Sequence, residues 1–256
     1  MRVLCCVKRV PAPGAKINIT ADGQDVDSAH LGFAMSPHEE CAVEEAVQLA
    51  DRFEGNSTVL TLGAPEAEEQ LRYAASLGVQ SAVLLSTDGS PWDPQRTARA
   101  IASAVQTLEA DDGPFDLILF GNESADSGGF QVGVRVAHAL GRPMVNAIKG
   151  IEPDLGAGMV TAKREIDGGF EVYKLPLPAV MGVKEGLNLP RYPTMKGRLA
   201  SKKVEVGVIE AEGEVGGQRR VRLIQPPAQE SNTVKLGEGI EAAPAIVDLF
   251  DELGLL

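Results

Sequence analysis

The sequence predicts an α/β protein in which a parallel, doubly wound sheet carries a small antiparallel hairpin extension and a C-terminal arm. Three observations lead there. Short apolar runs alternate with segments whose apolar residues recur at helical spacing, four times between Arg2 and Gly141. Turn residues punctuate the alternation at Asn56-Ser57, Gly78, Asp88-Gly89 and Asp112-Gly113, and that rhythm means parallel strands covered by helices. The last unit, residues 116–141, sets a polar, glycine-bearing turn between an apolar run and a helical pattern.

The first strand is the apolar run 2–7, stopped by Lys8-Arg9-Val10-Pro11-Ala12-Pro13 because proline cannot continue a central ladder. A long loop follows to about Met35. Ser36-Pro37-His38-Glu39 then opens a helix: Ser36 caps, Pro37 suits the first helical position, and Glu39 completes a capping box. Its apolar face is Val43, Ala46, Val47, Ala50 and Phe53, which puts Glu39, Glu40, Glu44, Glu45 and Asp51 on or near the solvent side. Strands at 58–62 and 81–85 alternate with helices at 65–77 and 94–108.

In 116–141, Leu117 to Phe120 form the strand and the helix runs from Phe130 to Leu140, stopped by Gly141 and Pro143. Between them Ser127, Gly128 and Gly129 leave little side-chain bulk near the first free N–H groups of the helix. Backbone donors and the positive dipole end can there face an anion. Ligands of such sheets sit where the connections diverge, which nominates residues 6–13, 62–65 and 121–133.

Beyond Gly141 the pattern changes to a hairpin, 158–164 and 170–175, turned by Asp167-Gly168-Gly169, and a further apolar strand, 179–183, returns to the core. Residues 187–203 then carry five positive charges and no acidic residue, in a chain of 36 acidic and 24 basic residues with net charge −12. That local inversion marks a site for an acidic surface, or an exposed basic loop without a partner. We therefore divide the chain into an α/β domain, 1–203, and an extended arm, 204–256, whose short amphipathic helix at 243–253 must dock on something to be stable.

Several function classes fall away. The acidic balance argues against nucleic acid, and no run approaches the roughly 20 apolar residues of a membrane helix, so we expect a cytoplasmic protein without membrane insertion. Cys5 and Cys6 point to opposite faces of a strand and Cys41 lies in a helix, so all three read as small core residues. His30, His38 and His138 have no metal-ligand spacing, and no dinucleotide-type glycine fingerprint, Walker loop or nucleophile elbow occurs. We expect no catalytic or metal site.

An ordered series of motifs adds a family. Val3 to Val10, Met35 to Val47, Gly63 to Ala67, Arg164 to Gly169 with Leu177 to Val180, and Asn188 to Pro193 together resemble the beta subunit of electron transfer flavoprotein. The resemblance implies a Rossmann-like, adenine-nucleotide-binding sheet in an electron carrier subunit rather than an enzyme. It implies an alpha-subunit partner holding most contacts to a redox FAD, with AMP as a structural nucleotide in this chain. A second FAD in the AMP place, as in bifurcating or ferredoxin-linked members, is the alternative. Carried over residue by residue, the nucleotide would touch Cys6, Ser36, Pro37, His38, Glu39, Leu62, Ser127, Gly128, Gly129, Phe130, Gln131, Val132, Gly133 and Val134. The phosphate would lie at Ser127 to Gly133 and the adenine near Cys6 and Leu62.

The basic segment matches the family's recognition loop, so Met195, Arg191, Lys196 and Arg198 are expected to dock acyl-CoA or related flavin dehydrogenases. Glu165 is expected to pair with an arginine of the partner's mobile flavin domain, and electrons to leave for a quinone oxidoreductase. The sequence departs from the family in two places. The phosphate loop keeps Asp126 and Gln131 but lacks both the Asp-Asp-Asp form associated with AMP and the Asp-Gly-Asp-Thr form associated with FAD. Met195-Lys196-Gly197-Arg198-Leu199 replaces the commoner leucine-led loop. The rival from another class is a stand-alone adenine-nucleotide enzyme or stress-type ATP-binding module.

Overall fold

A computed structural model of the chain describes residues 1–227 and 233–256. It resolves two compact units, Met1–Arg222 and Leu223–Leu256. In the first, β1 (Arg2–Val7), β4 (Asn56–Gly63), β5 (Ser81–Ser86), β6 (Leu117–Gly121) and β10 (Ala179–Val183) are adjacent parallel strands within a nine-stranded sheet. With β7 (Met144–Asp154), β8 (Met159–Ile166), β9 (Gly169–Pro176) and β11 (Val206–Glu210) the order is β11-β5-β4-β1-β6-β10-β7-β8-β9. All pairings are parallel except β7–β8 and β8–β9.

The parallel strands are apolar on both faces because helices cover both. On one side Val3, Cys5, Leu117 and Leu119 pack under α1 (Pro37–Arg52) and α2 (Glu68–Leu77). On the other, Leu4, Cys6, Ile118 and Phe120 pack under α3 (Pro94–Asp112) and α4 (Val132–Ala139). Cys5 and Cys6 thus face opposite layers, and all three cysteines are free and buried. The crossover from β1 through α1 leads to β4, and that from β6 through α4 leads to β7 on the opposite side. Their connections diverge between β1 and β6, the place where such sheets bind ligands.

Several expectations need correction. Glu39, Glu44 and Glu45 are buried, not solvated: residues 188–191 fold over α1 and the end of β6 lies against its start. The helix read from Phe130 begins at Val132, because Phe130 holds a positive φ of 57° that a helix cannot include. Helix α3 continues to Asp112, about one turn beyond the expected end. Strand β7 was not expected. It pairs with β10 in parallel and with β8 antiparallel, so the hairpin is the outer part of a three-stranded meander.

The N-terminal loop is partly ordered as well. Val10–Pro11 (β2) and Phe33–Ala34 (β3) form a two-stranded antiparallel sheet, which tolerates Pro11 because neither strand is central. The arm expected from 204 remains with the sheet at first, since β11 pairs with β5 along its whole length. Residues 213–216 then pass the start of α3: the carboxylate of Asp93, its N-cap, accepts from Gly216 N–H at 2.8 Å, and Arg96 Nε donates to the Gly213 carbonyl at 2.9 Å, while Arg220 and Val221 bond to Gln24. The second unit holds the expected terminal helix, α6 (Ala243–Glu252), whose Ile246, Val247 and Phe250 are exposed. Residues 228–232 of the expected arm lie outside the described residues. Among the described residues no helix is long and apolar enough to cross a membrane.

Candidate functional site

The carboxyl ends of β1, β4 and β6 bring the nominated loops together. Thr61 Oγ1 donates to the Val7 carbonyl at 2.8 Å and fixes β4 to the end of β1. Gly121, ending β6, is where α1 begins: a Cβ there would fall 2.7 Å from Glu39 Cγ. The capping box forms as the sequence requires. Ser36 Oγ accepts from Glu39 N–H at 3.4 Å and the Glu39 carboxylate accepts from Ser36 N–H at 2.9 Å. Burial pushes the Glu39 carboxyl up to about 7, against the pull of Ser36 and Lys8. The N-terminus of α1 is therefore already filled by its own side chains.

Helix α4 is the opposite case. Gln131 at its N-cap makes no side-chain hydrogen bond to the first turn, so the positive end of α4 is uncapped. Ahead of it, a Cβ on Gly129 would meet nothing, which leaves bare backbone facing open space. Gly128 has a positive φ of 54°, and its N–H donates to the Ser124 carbonyl to close the turn. A groove of about 520 Å³ runs from here between α3 and α4, lined by Gln95, Ala98, Arg99, Phe130, Gln131, Val134, Arg135, His138 and Ala139. Its size falls in the range of small-molecule sites, roughly 300–1,000 Å³.

Electrostatics separates the parts of the site. Lys8, just past β1, pairs with Asp126 of the loop after β6 at 2.6 Å. Burial alone would raise the Asp126 carboxyl, but the Lys8 charge and hydrogen bond and the Ser124 hydroxyl outweigh it and hold it below its ordinary value. Burial and the nearby Glu39 hold the Cys6 thiol far above its ordinary value. Cys6 is thus a neutral, apolar surface at the end of β1. Among the described residues, no group of three or more His, Cys, Asp or Glu side chains could hold a metal ion.

A second feature lies on the α1–α2 side. Arg191 grips Glu44 with Nε at 2.8 Å and a second guanidinium nitrogen at 2.9 Å, and its N–H adds a third bond at 3.1 Å. Asn188 donates to the Cys41 carbonyl and the Glu45 carboxylate, both at 3.0 Å. The chain then turns into α5 (Met195–Ser201), capped by Thr194, whose hydroxyl accepts from Gly197 N–H at 3.0 Å. Leu189, Tyr192, Met195 and Leu199 are left facing outward, with Tyr192 90% exposed.

A family model described as the electron transfer flavoprotein domain matches residues 26–213, most of the chain. The chain belongs to the electron transfer flavoprotein beta subunits. It is 35% identical over 230 residues to the electron transfer flavoprotein subunit beta of Syntrophomonas wolfei, covering 90% of this chain and 87% of the relative. It is 31% identical over 256 residues to the Bacillus subtilis subunit beta, with 97% of each covered. Protein FixA of Bradyrhizobium diazoefficiens is 29% identical over 263 residues, covering 97% of this chain and 90% of that protein. Membership implies a flavin in the complex and an alpha subunit as partner.

Within this beta subunit the expected nucleotide residues fall at one edge of the sheet. Cys6 and Leu62 end β1 and β4 on the α3–α4 side, and Ser127 to Val134 form the turn and start of α4. Ser36, Pro37, His38 and Glu39 border them on α1, but His38 Nδ1 accepts from Glu185 N–H at 2.8 Å and Glu39 serves its own helix. Of the expected docking residues, Arg191 is committed to Glu44, while Met195, Lys196 and Arg198 are exposed on α5. Glu165 is exposed but paired with Lys149.

The sequence reading held Lys8 as part of the nominated loop 6–13, weighed His138 only as a metal ligand, and passed over Gln95 and Arg99. The spacing of Gln95, Ala98 and Arg99 on α3, one stripe at i, i+3 and i+4, is the signal that identifies the second wall of the groove.

Proposed function

We propose that this beta subunit is the rigid, non-catalytic half of an electron carrier: it buries a structural AMP and presents a docking helix to flavin dehydrogenases. The observation that carries the nucleotide reading is the contrast between two helix starts at one sheet edge. Helix α1 is closed by its own capping box, in which the Ser36 and Glu39 side chains already take the N–H groups of Glu39 and Ser36, and α4 is open, uncapped and backed by bare glycine backbone. A phosphate therefore belongs on α4, and the base toward the neutral Cys6 and Leu62. Ser36 to Glu39 shape the neighbouring wall without binding the phosphate. The residues fit the group: a groove of about 520 Å³ continues from that helix start and is lined by cationic, amide and apolar side chains.

FAD is held mainly by the alpha subunit and supplies the electron chemistry. This chain's share is support and recognition. Leu189, Tyr192, Met195 and Leu199 give an apolar surface with Lys196, Arg198, Lys202 and Lys203 nearby in sequence, a combination suited to an acidic-rimmed apolar pocket on a dehydrogenase. Burying Met195 contributes roughly 1.5–3 kcal/mol, appropriate to a complex that must also dissociate. Glu165, now held by Lys149, is available to a cation of the alpha subunit by exchange of partners.

The test is to co-express the chain with its alpha subunit, denature the purified complex, and quantify released nucleotides by chromatography. One FAD and one AMP per heterodimer is the expected result. Two FAD and no AMP would place FAD in this site instead, and a chain purifying alone with bound ATP would overturn the carrier reading.

A further inference from the structure

The groove between α3 and α4 is cationic in a chain whose net charge is −12. It is lined by Arg99, Arg135 and His138 and by no carboxylate. Arg99 makes no hydrogen bond or ion pair with any described residue. Arg135 meets only a neutral amide, with Nε at 3.3 Å and a terminal nitrogen at 3.0 Å from Gln131 Oε1. Several other arginines, Arg142, Arg164 and Arg191 among them, sit against a carboxylate, whereas Arg96 and Arg198 pair with no carboxylate among the described residues. Two guanidinium groups without an anion, one on each wall of a groove that starts at an uncapped helix, form an arrangement whose missing component is negative charge.

We propose that Arg99 and Arg135 read the phosphate of the bound nucleotide, so that this site selects a nucleoside monophosphate over the nucleoside by charge rather than by its base. The inference rests on the nucleotide reading of this groove. Backbone N–H groups of α4 position the phosphate but supply only the partial charge of a helix end. A phosphate dianion needs more, and guanidinium groups match its oxygens two at a time. Arg99 and Arg135 come from separate helices, so together they close on the anion from two sides. Gln131 holds the Arg135 fork in place before the ligand arrives.

Both arginines are exposed, so their substitution leaves the core untouched. The experiment uses the assembled heterodimer, stripped of bound nucleotide, with AMP and adenosine as probes in titration calorimetry. For R99M and R135M the expected result is a loss of at least tenfold in AMP affinity with adenosine affinity unchanged. AMP binding to the wild type should weaken with added salt while adenosine binding does not, and R99K should recover part of the loss. Undiminished AMP binding by both variants, or equal weakening of AMP and adenosine, would overturn the proposal and leave the nucleotide reading standing. A wild-type complex that binds neither probe would remove both.

Discussion

Lys8 and Asp126 join the two loops that part at the centre of the sheet: the Lys8 ammonium lies 2.6 and 2.8 Å from the two Asp126 carboxylate oxygens. Both side chains are partly exposed, so the pair contributes about 0.5–1 kcal/mol to stability, as surface pairs do. Its larger effect is on the site, because it fixes the loop after β6 relative to β1. Asp126→Asn should lower urea-denaturation stability by that small amount and reduce nucleotide retained through purification. The folded carboxyl sits below its ordinary value of 3.8, so the contribution is present above that value and is lost as pH falls through the lowered one. Wild type and Asp126→Asn should differ near neutral pH and converge in acid; a constant difference down to the lowest pH would rule out the pair as its source.

Glu39 has the opposite sign. Burial raises its folded pKa from 4.5 to about 7. Between those values the folded chain keeps a proton that the unfolded chain has released. The Glu39 contribution to stability is thus greatest below 4.5 and declines as pH rises toward about 7, by up to about 1.4 kcal/mol per pH unit. Glu39→Gln can still accept from Ser36 N–H, as glutamine does in a capping box. The variant should lose that slope and gain on wild type as pH rises from 5 to 8, measured by urea denaturation across the range. Parallel pH profiles would show that Glu39 does not titrate there.

The capping box at Ser36 and the strand–helix alternation were legible because each depends on neighbours in sequence. Strand β7 was not. It contains Lys149, Gly150 and Pro153, its pairing shifts between Ile148 and Gly150, and Ala147 holds a positive φ of 57°, so no period-two pattern survives. The irregularity has a structural counterpart: Ala147 N–H donates to Asn122 Oδ1 at 3.0 Å, tying β7 to the loop after β6. Glu44 and Glu45 look solvated on a helical wheel, since nothing within α1 reveals that residue 188 and its neighbours fold onto them. The site was half visible for the same reason. Its glycine-bearing loop is contiguous in sequence, but Lys8 and Arg99 reach it only through the sheet order.

The fork between Arg191 and Glu44 is asymmetric in burial, and that predicts asymmetric mutants. The Glu44 side chain is 3% exposed and that of Arg191 42%. Arg191→Ala leaves a buried carboxylate with the Gln48 amide and the residue 191 backbone N–H but no countercharge, whereas Glu44→Ala releases the arginine to water. Arg191→Ala should therefore cost more, about 3 kcal/mol, the lower end of the range for breaking a buried pair. Both variants should free residues 187–203 and speed tryptic cleavage within that segment. Equal losses in thermal denaturation, or unchanged cleavage rates, would mean that the fork does not position the docking helix.

Gly197 is required by packing rather than by turn geometry. It lies inside α5, where alanine would favour the helix by about 1 kcal/mol. Yet a Cβ at this position would fall 2.2 Å from the Ser76 carbonyl oxygen of α2, a backbone atom that cannot move aside alone. Helix α5 would have to shift off α2, weakening the Arg72 bonds to the Ser201 and Val204 carbonyls at its far end. The overpacking cost of about 1–3 kcal/mol offsets or exceeds the propensity gain. Gly197→Ala should thus be no more stable than wild type, and Met195 and Leu199 should be displaced. The expected outcome is a several-fold fall in kcat/KM for electron transfer from a flavin dehydrogenase, carried by KM, with nucleotide content unchanged. A variant that is more stable by the full helix-propensity gain and docks normally would show that α5 is not held against α2.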